Sequence, residues 1–277
     1  MTRVCAVVLL VCVAGGAAGR FYAQTPLPDI RQLMIEVQAH QRQLDSLREN
    51  YTFTAYEAVE DLDSNGHVVK TETSEKEDFF VNGHLIERIV KKDGKPLAGR
   101  DMDKETERVT RLVEKAEKTP RDQPLEGQTI SVTRLLEIMD VCNERRVDYH
   151  GRPTIVFDFV GRKNAKTHGI IEDASKKLQG TIWIDEAGRQ VAHLDVNFAD
   201  NFHVAGGLFA NIQKGSNFRF EQALVNGELW LPTAAEATVQ ARVLLVKNMR
   251  QHFVERDADY KCFHVETQSK DAKTAAK

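Results

Sequence analysis

The residues of this chain with the clearest acid–base potential lie on a predicted β-strand. His193 and Asp195 alternate with apolar residues, so both side chains should project from one face of that strand. A histidine beside a carboxylate can act as a general base oriented by its partner. Two solvent-facing polar residues on an alternating strand explain the same pattern more simply, and we favour that interpretation.

Motifs of other catalytic and metal sites are missing from the sequence. It contains no HExxH, GxSxG, P-loop or CxxC, and its histidines are spread singly. Residues 61–66 have the oxygen ligands of a calcium loop in outline but lack the closing glutamate, and a hairpin turn explains them better. We therefore predict no catalytic residues, no metal and no cofactor, and a protein that is not an enzyme.

The N-terminus has the three-part layout of a secretory signal peptide. Arg3 precedes an apolar run over residues 4–13, and small residues follow over 14–19. Cleavage after Gly19 is predicted, which makes residues 1–19 the signal peptide and the periplasm or the exterior the destination. A buried N-terminal helix and a lipid-modified Cys12 are the alternatives. No later apolar stretch is long enough to span a membrane.

The charge distribution argues against a nucleic-acid partner, and the cysteine content predicts a covalent cross-link. The 38 Lys and Arg residues are scattered among 41 Asp and Glu residues, for a net charge of −3, so no basic patch indicates a nucleic-acid partner. Removal of the signal leaves Cys142 and Cys262 as the cysteines of the mature chain. In an oxidising compartment this pair predicts one disulfide between them. Two buried thiols that behave as small apolar side chains are the alternative.

Periodicity predicts one α+β domain over residues 29–267. After a flexible leader over 20–28, Asp29 can cap an amphipathic helix to about residue 49. A period of two and tight turns near 63–66, 82–83 and 93–94 predict an antiparallel meander. A charged helix over 101–118 and a short helix with an apolar side over about 130–140 interrupt the sheet. A lysine-rich loop is predicted over 162–178, and nine or ten strands result. A disordered tail is predicted over 268–277.

Apolar residues at strand and helix spacing form the candidate ligand site. A strongly curved sheet under a movable helical cover could hold an acyl chain, because small-ligand cavities are mostly apolar. An ordinary filled core is the alternative. The predicted lining is made of a helix stripe and one sheet face: Leu33, Met34, Val37, Phe53, Phe157, Phe159, Ile182, Ile184, Leu194, Val196, Phe198, Phe218 and Phe220.

Three short segments resemble envelope proteins related to the outer-membrane lipoprotein carrier. They are Gly-Thr-Ile-Trp-Ile-Asp at 180–185 with Gly-Arg at 188–189, Asn-Gly-Glu-Leu-Trp-Leu-Pro at 226–232, and Asp-Tyr-Lys at 259–261. The resemblance spans roughly residues 28–266. It implies an incomplete antiparallel β-barrel whose concave face is covered by the N-terminal helix and a central helical insertion, and which holds lipid acyl chains. This chain is longer than the carrier, and its central insertion is more highly charged.

These observations predict a non-enzymatic periplasmic protein that binds an apolar ligand in transport or sensing. A lipid or lipoprotein acyl chain is the expected ligand, and an envelope protein is a further candidate partner. A structural or protein-interaction module of the cell envelope with a filled core is the alternative function.

Overall fold

The computed structural model describes residues 26–121, 123–125, 132–204, 210–243 and 247–263. The predicted signal peptide, residues 20–25 of the predicted leader and the predicted tail lie outside the described residues. Residues 26–29 have no regular secondary structure, and helix α1 follows at Ile30–Arg48. Its N-cap is the predicted one, since Asp29 Oδ1 accepts a hydrogen bond from the Gln32 N–H at 2.8 Å.

The described strands form a single antiparallel sheet. Its 13 strands are β1 Tyr51–Leu62, β2 Val68–Val81, β3 His84–Lys92, β4 Lys95–Pro96, β5 Met139–Tyr149, β6 Arg152–Gly161, β7 Leu178–Asp185, β8 Gln190–Phe198, β9 Phe202–Val204, β10 Ala210–Ile212, β11 Asn217–Val225, β12 Leu229–Val243 and β13 Lys247–Cys262. Their order in the sheet is β4-β3-β2-β1-β13-β12-β11-β8-β7-β6-β5, with β10 paired to β12 and to β9. The sheet is open rather than closed, and this mostly antiparallel architecture with few helices is consistent with an incomplete curved barrel.

The predicted hairpin turns are confirmed, including the one that outlines a calcium loop. Asp63 Oδ1 accepts hydrogen bonds from the N–H groups of Asn65 at 2.8 Å and His67 at 2.9 Å. The carboxylate is therefore used to hold the turn between β1 and β2. The next turn places Asn82 and Gly83 at φ of 49° and 79°, a backbone region that favours these two residue types.

Three further helices are α2 Arg100–Lys118, α3 Val132–Ile138 and α4 Gly169–Ser175. The helix predicted over 130–140 ends early, because its last residues begin β5, an edge strand with no clear alternation of apolar and polar residues. The loop predicted over 162–178 contains α4. This helix is anchored by Glu172, whose two carboxylate oxygens bind the Arg134 guanidinium of α3 at 3.0 and 2.8 Å.

The predicted disulfide is wrong. Cys142 lies on β5 and Cys262 at the end of β13, with β12, β11, β8, β7 and β6 between the two strands. Neighbouring strands are about 4.8 Å apart, so this separation far exceeds the reach of a disulfide. The two thiols are not bonded to each other. An even cysteine count predicts pairing only when the fold brings the two strands together.

Among the described helices, none combines the length and the apolarity that a bilayer span requires.

Candidate functional site

Helices α1 and α3 pack on one face of the sheet, which we call the helix-bearing face. The first half of α1 contributes a buried stripe, and α3 contributes Leu136. They contact the strand residues that alternate toward them on β6 and β7. The buried members of this core are Ile30, Leu33, Met34, Val37, Leu136, Ile155, Phe157, Ile182 and Ile184.

The strand register shows which side chains of neighbouring strands share the helix-bearing face. Directly opposed residues of an antiparallel pair project to the same side. Ile182 pairs with Phe157 of β6 and with Leu194 of β8, Leu194 pairs with Phe220 of β11, and Phe220 pairs with Ala235 of β12. One lateral row on this face therefore runs from β6 to β12 with apolar side chains only.

An apolar cavity of about 220 Å³ lies between α1, α3 and the sheet. Its walls come from the helices and from β5 to β8, and Ser175 is the only one of the described lining residues with a polar side chain. The lining residues are Met34, Val132, Leu135, Leu136, Met139, Val141, Phe157, Phe159, Ser175, Leu178, Ile182, Leu194 and Val196.

A second cavity of about 420 Å³ continues from the first along the same face. The two share Leu178 and Val196 in their walls, and together they form what we call the apolar trough. The added lining comes from β8, β10, β11 and β12: Asn197, Phe198, Ile212, Ser216, Asn217, Phe218, Ala237 and Val239. The combined space is in the range of small-ligand sites.

The structure divides the predicted site residues into three groups. Met34, Phe157, Phe159, Ile182, Leu194, Val196, Phe198 and Phe218 line the trough. Leu33, Val37 and Ile184 are at most 2 % exposed and belong to the packed core beneath α1. Phe53 and Phe220 lie outside both cavities.

Phe53 and Phe220 each pack with another aromatic side chain. Phe53 is on β1, where its ring lies 5.5 Å from Tyr260 and 6.3 Å from Phe80. The Phe220 ring stacks on Phe218 at 6.3 Å. Sequence reasoning placed Phe53 with the others because alternation identifies a strand face but not which strands are neighbours.

Several trough residues were not predicted. Val141 and Met139 come from β5, and Leu135 and Leu136 from α3, a helix whose apolar residues were visible in the sequence without any sign of what they contact. Ala237 and Val239 come from β12, where small side chains carry little hydrophobic signal.

A group of buried and partly buried charged side chains occupies the other half of the helix-bearing face. We call it the lysine–acid cluster: Glu57, Lys76, Asp78, Glu87, Glu255 and Asp257. Lys76 Nζ lies at its centre, 2.6 Å from Glu57 Oε2, 3.3 Å from Glu87 Oε2 and 3.5 Å from Glu255 Oε2. Lys76 is 6 % exposed, Asp78 2 % and Asp257 9 %.

Burial changes the protonation of this cluster. Burial and the nearby charge of Glu87 raise the pKa of Asp78 to about 8. Burial and the charge of Glu255 raise the pKa of Asp257 to about 7. Burial opposes protonation of Lys76, but its hydrogen bond to Glu57 and the surrounding carboxylates outweigh this and raise its pKa. Lys76 is therefore charged, and the two aspartates titrate near neutrality.

His193 and Asp195, the pair that the sequence suggested, lie on the opposite face of the sheet and have different partners there. His193 Nδ1 lies 2.7 Å from Glu221 Oε1 of β11, a close contact without the alignment of a hydrogen bond. Asp195 instead accepts from Arg219 Nε at 3.1 Å. Each residue thus has a cross-strand neighbour of its own, and the two do not form a dyad.

The chain is distantly similar to three solved structures. A domain described as an outer membrane lipoprotein-sorting protein, from Vibrio parahaemolyticus, is 9 % identical over 87 % of this chain and 94 % of its own, with a TM-score of 0.39. A DUF1329 family protein from Desulfovibrio piger is 9 % identical over 85 % and 94 %, with a TM-score of 0.35. MucB in complex with MucA is 10 % identical over 84 % and 100 %, with a TM-score of 0.24. At these TM-scores the similarity supports no inference about function.

No protein-family model matches the sequence, and no characterised protein matches it by sequence comparison.

Proposed function

We propose that this chain binds a lipid or lipoprotein acyl chain in the apolar trough, as a periplasmic binding protein that acts in transport or sensing. The observation that carries the proposal is the trough itself. Two adjoining cavities on the helix-bearing face are lined almost entirely by apolar side chains, beside a core that is closely packed. Apolar space of this size favours an apolar chain over water.

The helices supply the route by which such a chain would enter. Met34 of α1 and Leu136 of α3 belong both to the packed core and to the trough wall. A displacement of these helices would widen the trough without breaking the sheet. The periplasmic location rests on the signal-peptide pattern at residues 1–19, and the acyl chain also agrees with the sequence resemblance to the lipoprotein carrier.

Replacement of Met34 by tryptophan tests the proposal. The larger side chain fills trough space, so uptake of a fluorescent long-chain alcohol should fall by roughly tenfold or more while the fold remains nearly as stable. If Met34 is instead an ordinary core residue, the same change is overpacking and lowers stability by about 1–3 kcal/mol. Titration of the alcohol and thermal unfolding of the same sample separate these outcomes.

The neighbouring Ile35 provides the matched control. Its side chain is 40 % exposed on the outer side of α1, so Ile35→Trp should leave both uptake and stability unchanged. Failure of the unmodified protein to take up the alcohol, together with a destabilised Met34→Trp variant, would overturn the proposal.

A structural or protein-interaction module of the envelope is the second candidate function. The packed side of the core favours it, because Leu33, Val37 and Ile184 are almost fully buried and line neither cavity. Native mass spectrometry of protein purified from a periplasm distinguishes the two functions. A co-purified lipid favours the binding protein, and a bare chain mass favours the module.

A further inference from the structure

The lysine–acid cluster adjoins the apolar trough on the helix-bearing face. Ala235 of β12 pairs with Phe220 on one side and with Glu255 of β13 on the other. Glu255 in turn pairs with Glu57 of β1, and both carboxylates contact Lys76. The methyl group of Ala235 is thus the side chain that separates the apolar row from the first carboxylate of the cluster.

The cluster holds more negative charge than its lysine balances. Five carboxyl groups surround one ammonium group, which lies within 3.5 Å of Glu57, Glu87 and Glu255. Among the described residues, no donor reaches Asp78 Oδ1 or Asp257 Oδ1. Both side chains are at least nine-tenths buried, and a buried acceptor without a hydrogen bond is costly. A positively charged donor could satisfy either oxygen.

We propose that the trough ligand is an amphiphile with a cationic head group. Its tail lies in the trough, and its ammonium group binds in the lysine–acid cluster, where Asp78 and Asp257 each have an oxygen without a donor among the described residues. This inference rests on the binding of an apolar chain proposed above, and it adds the charge of the ligand.

The strand geometry sets the length of such a ligand. The lateral row of paired residues runs from Leu194 in the trough to Glu255 in the cluster. It crosses three strand intervals: β8 to β11, β11 to β12 and β12 to β13. At about 4.8 Å for each interval the distance is roughly 14 Å. A chain of about twelve carbons spans this distance, from the trough wall at Leu194 to the first carboxylate of the cluster.

Competition between three twelve-carbon amphiphiles tests the head group. Dodecylamine, dodecanol and dodecanoate each displace the fluorescent alcohol from the protein at pH 8.5, where the amine is still protonated like a lysine. Dodecylamine should bind about tenfold or more tightly than dodecanoate, since close opposite charges in a desolvated site discriminate by this order. Dodecanol should fall between them.

Two substitutions connect this preference to the cluster. In the Asp78→Asn, Asp257→Asn double variant, the amine and the carboxylate should bind within about threefold of each other, and measurable dodecanol binding shows that the trough still accepts the tail. Asparagine has the shape of the carboxyl group, and thermal unfolding shows that the variant is folded. Each single variant should lose part of the preference. Asp195→Asn on the opposite face is the control and should retain it in full.

The outcomes separate this inference from the function on which it rests. Equal binding of all three amphiphiles, or a preference that survives the double substitution, would overturn the cationic head group and leave acyl-chain binding intact. If none of the three displaces the alcohol because the alcohol itself does not bind, the proposed function fails and this inference fails with it.

Discussion

Asp185, which lies in the segment 180–189 that resembles the lipoprotein carrier, makes structural contacts. Its buried carboxylate accepts hydrogen bonds from Arg152 Nε at 2.6 Å and Nη2 at 2.9 Å, and also from the Gly188 N–H. The Arg152 guanidinium lies 5.5 Å from the centre of the Trp230 ring, within cation–π distance. The segments at 180–189 and 226–232, which carry the family resemblance, thus meet around one arginine. Their role at this point is structural.

Replacement of Asp185 by asparagine should be strongly destabilising. The variant keeps the shape of the side chain but leaves Arg152 without its charge partner and replaces an acceptor oxygen with an N–H₂ group. We expect a loss of roughly 2–4 kcal/mol in the free energy of unfolding, somewhat below a fully buried pair because Arg152 is partly exposed. Denaturant titration measures the loss.

Asp195→Asn is the comparison for that variant. Asp195 pairs with Arg219, and both side chains are well exposed, so this change should cost less than about 1 kcal/mol. Equal losses in the two variants would show that burial of the Asp185 pair contributes nothing.

Helix α2 acts as a cover for a sheet edge rather than for the trough. Glu105 Oε1 accepts a hydrogen bond from the Ile89 N–H at 2.8 Å, and the Arg108 guanidinium donates to the Glu87 carbonyl at 2.6 Å. β4 pairs with only the last two residues of β3, so these contacts occupy backbone groups along the rest of its outer edge. Free edges invite pairing with other chains, and α2 blocks this one. The sequence predicted the helix but assigned the whole insertion to the cover, a role that α3 performs.

Glu105→Ala should open that edge. The Ile89 amide loses its acceptor, so its hydrogen exchange should accelerate, with a loss of about 1 kcal/mol in stability. Glu107→Ala is the control, because its ion pair with Arg111 is solvent-exposed. Amide exchange resolved by residue checks the effect, and unchanged exchange at Ile89 in both variants would contradict the edge contact.

Across the whole molecule, the helix-bearing face is divided into an apolar half and a charged half. In sheet order, the strands from β6 through β7, β8 and β11 to β12 contribute to the core and the trough. The next four strands, β13, β1, β2 and β3, contribute the lysine–acid cluster. A buried carboxyl group whose pKa is raised favours the folded state when protonated and opposes it when ionised. The charged half therefore couples global stability to pH.

Stability should fall as the pH rises from 5.5 to 8.5. In the unfolded chain Asp78 and Asp257 titrate near 3.8, whereas in the folded chain their pKa values are about 8 and about 7. Between these limits the folded state holds more protons, so each group lowers the free energy of unfolding by up to about 1.4 kcal/mol per pH unit. The contribution is complete below the unfolded pKa and is lost by about pH 8.

The Asp78→Asn, Asp257→Asn double variant isolates this effect from other titrations, including that of His252, whose pKa is raised by its hydrogen bond to Glu60. Its free energy of unfolding relative to that of the unmodified protein should rise by a few kcal/mol between pH 5.5 and pH 8.5, because only the unmodified protein loses the contribution of the two aspartates. Melting temperatures at both values are the measurement. A pH profile shared by the two proteins would contradict the raised pKa values.

The sequence by itself determined the local elements. Helix α1 with its Asp29 cap, helix α2 and the turns after β1, β2 and β3 depend on contacts between residues a few positions apart. Periodicity and turn residues report such contacts directly. Eight of the residues that line the trough were also identified, six of them because alternation on β6, β7 and β8 sorts side chains into two faces.

Only the tertiary structure decided which neighbours those faces acquire. Glu57 and Glu255 are almost two hundred residues apart in the chain, yet strand pairing places them side by side around Lys76. The same long-range pairing separates Cys142 from Cys262 and moves Phe53 away from the trough. Alternation cannot show which strands pair or which face a helix covers, because both follow from loop closure and from burial summed over the whole sheet.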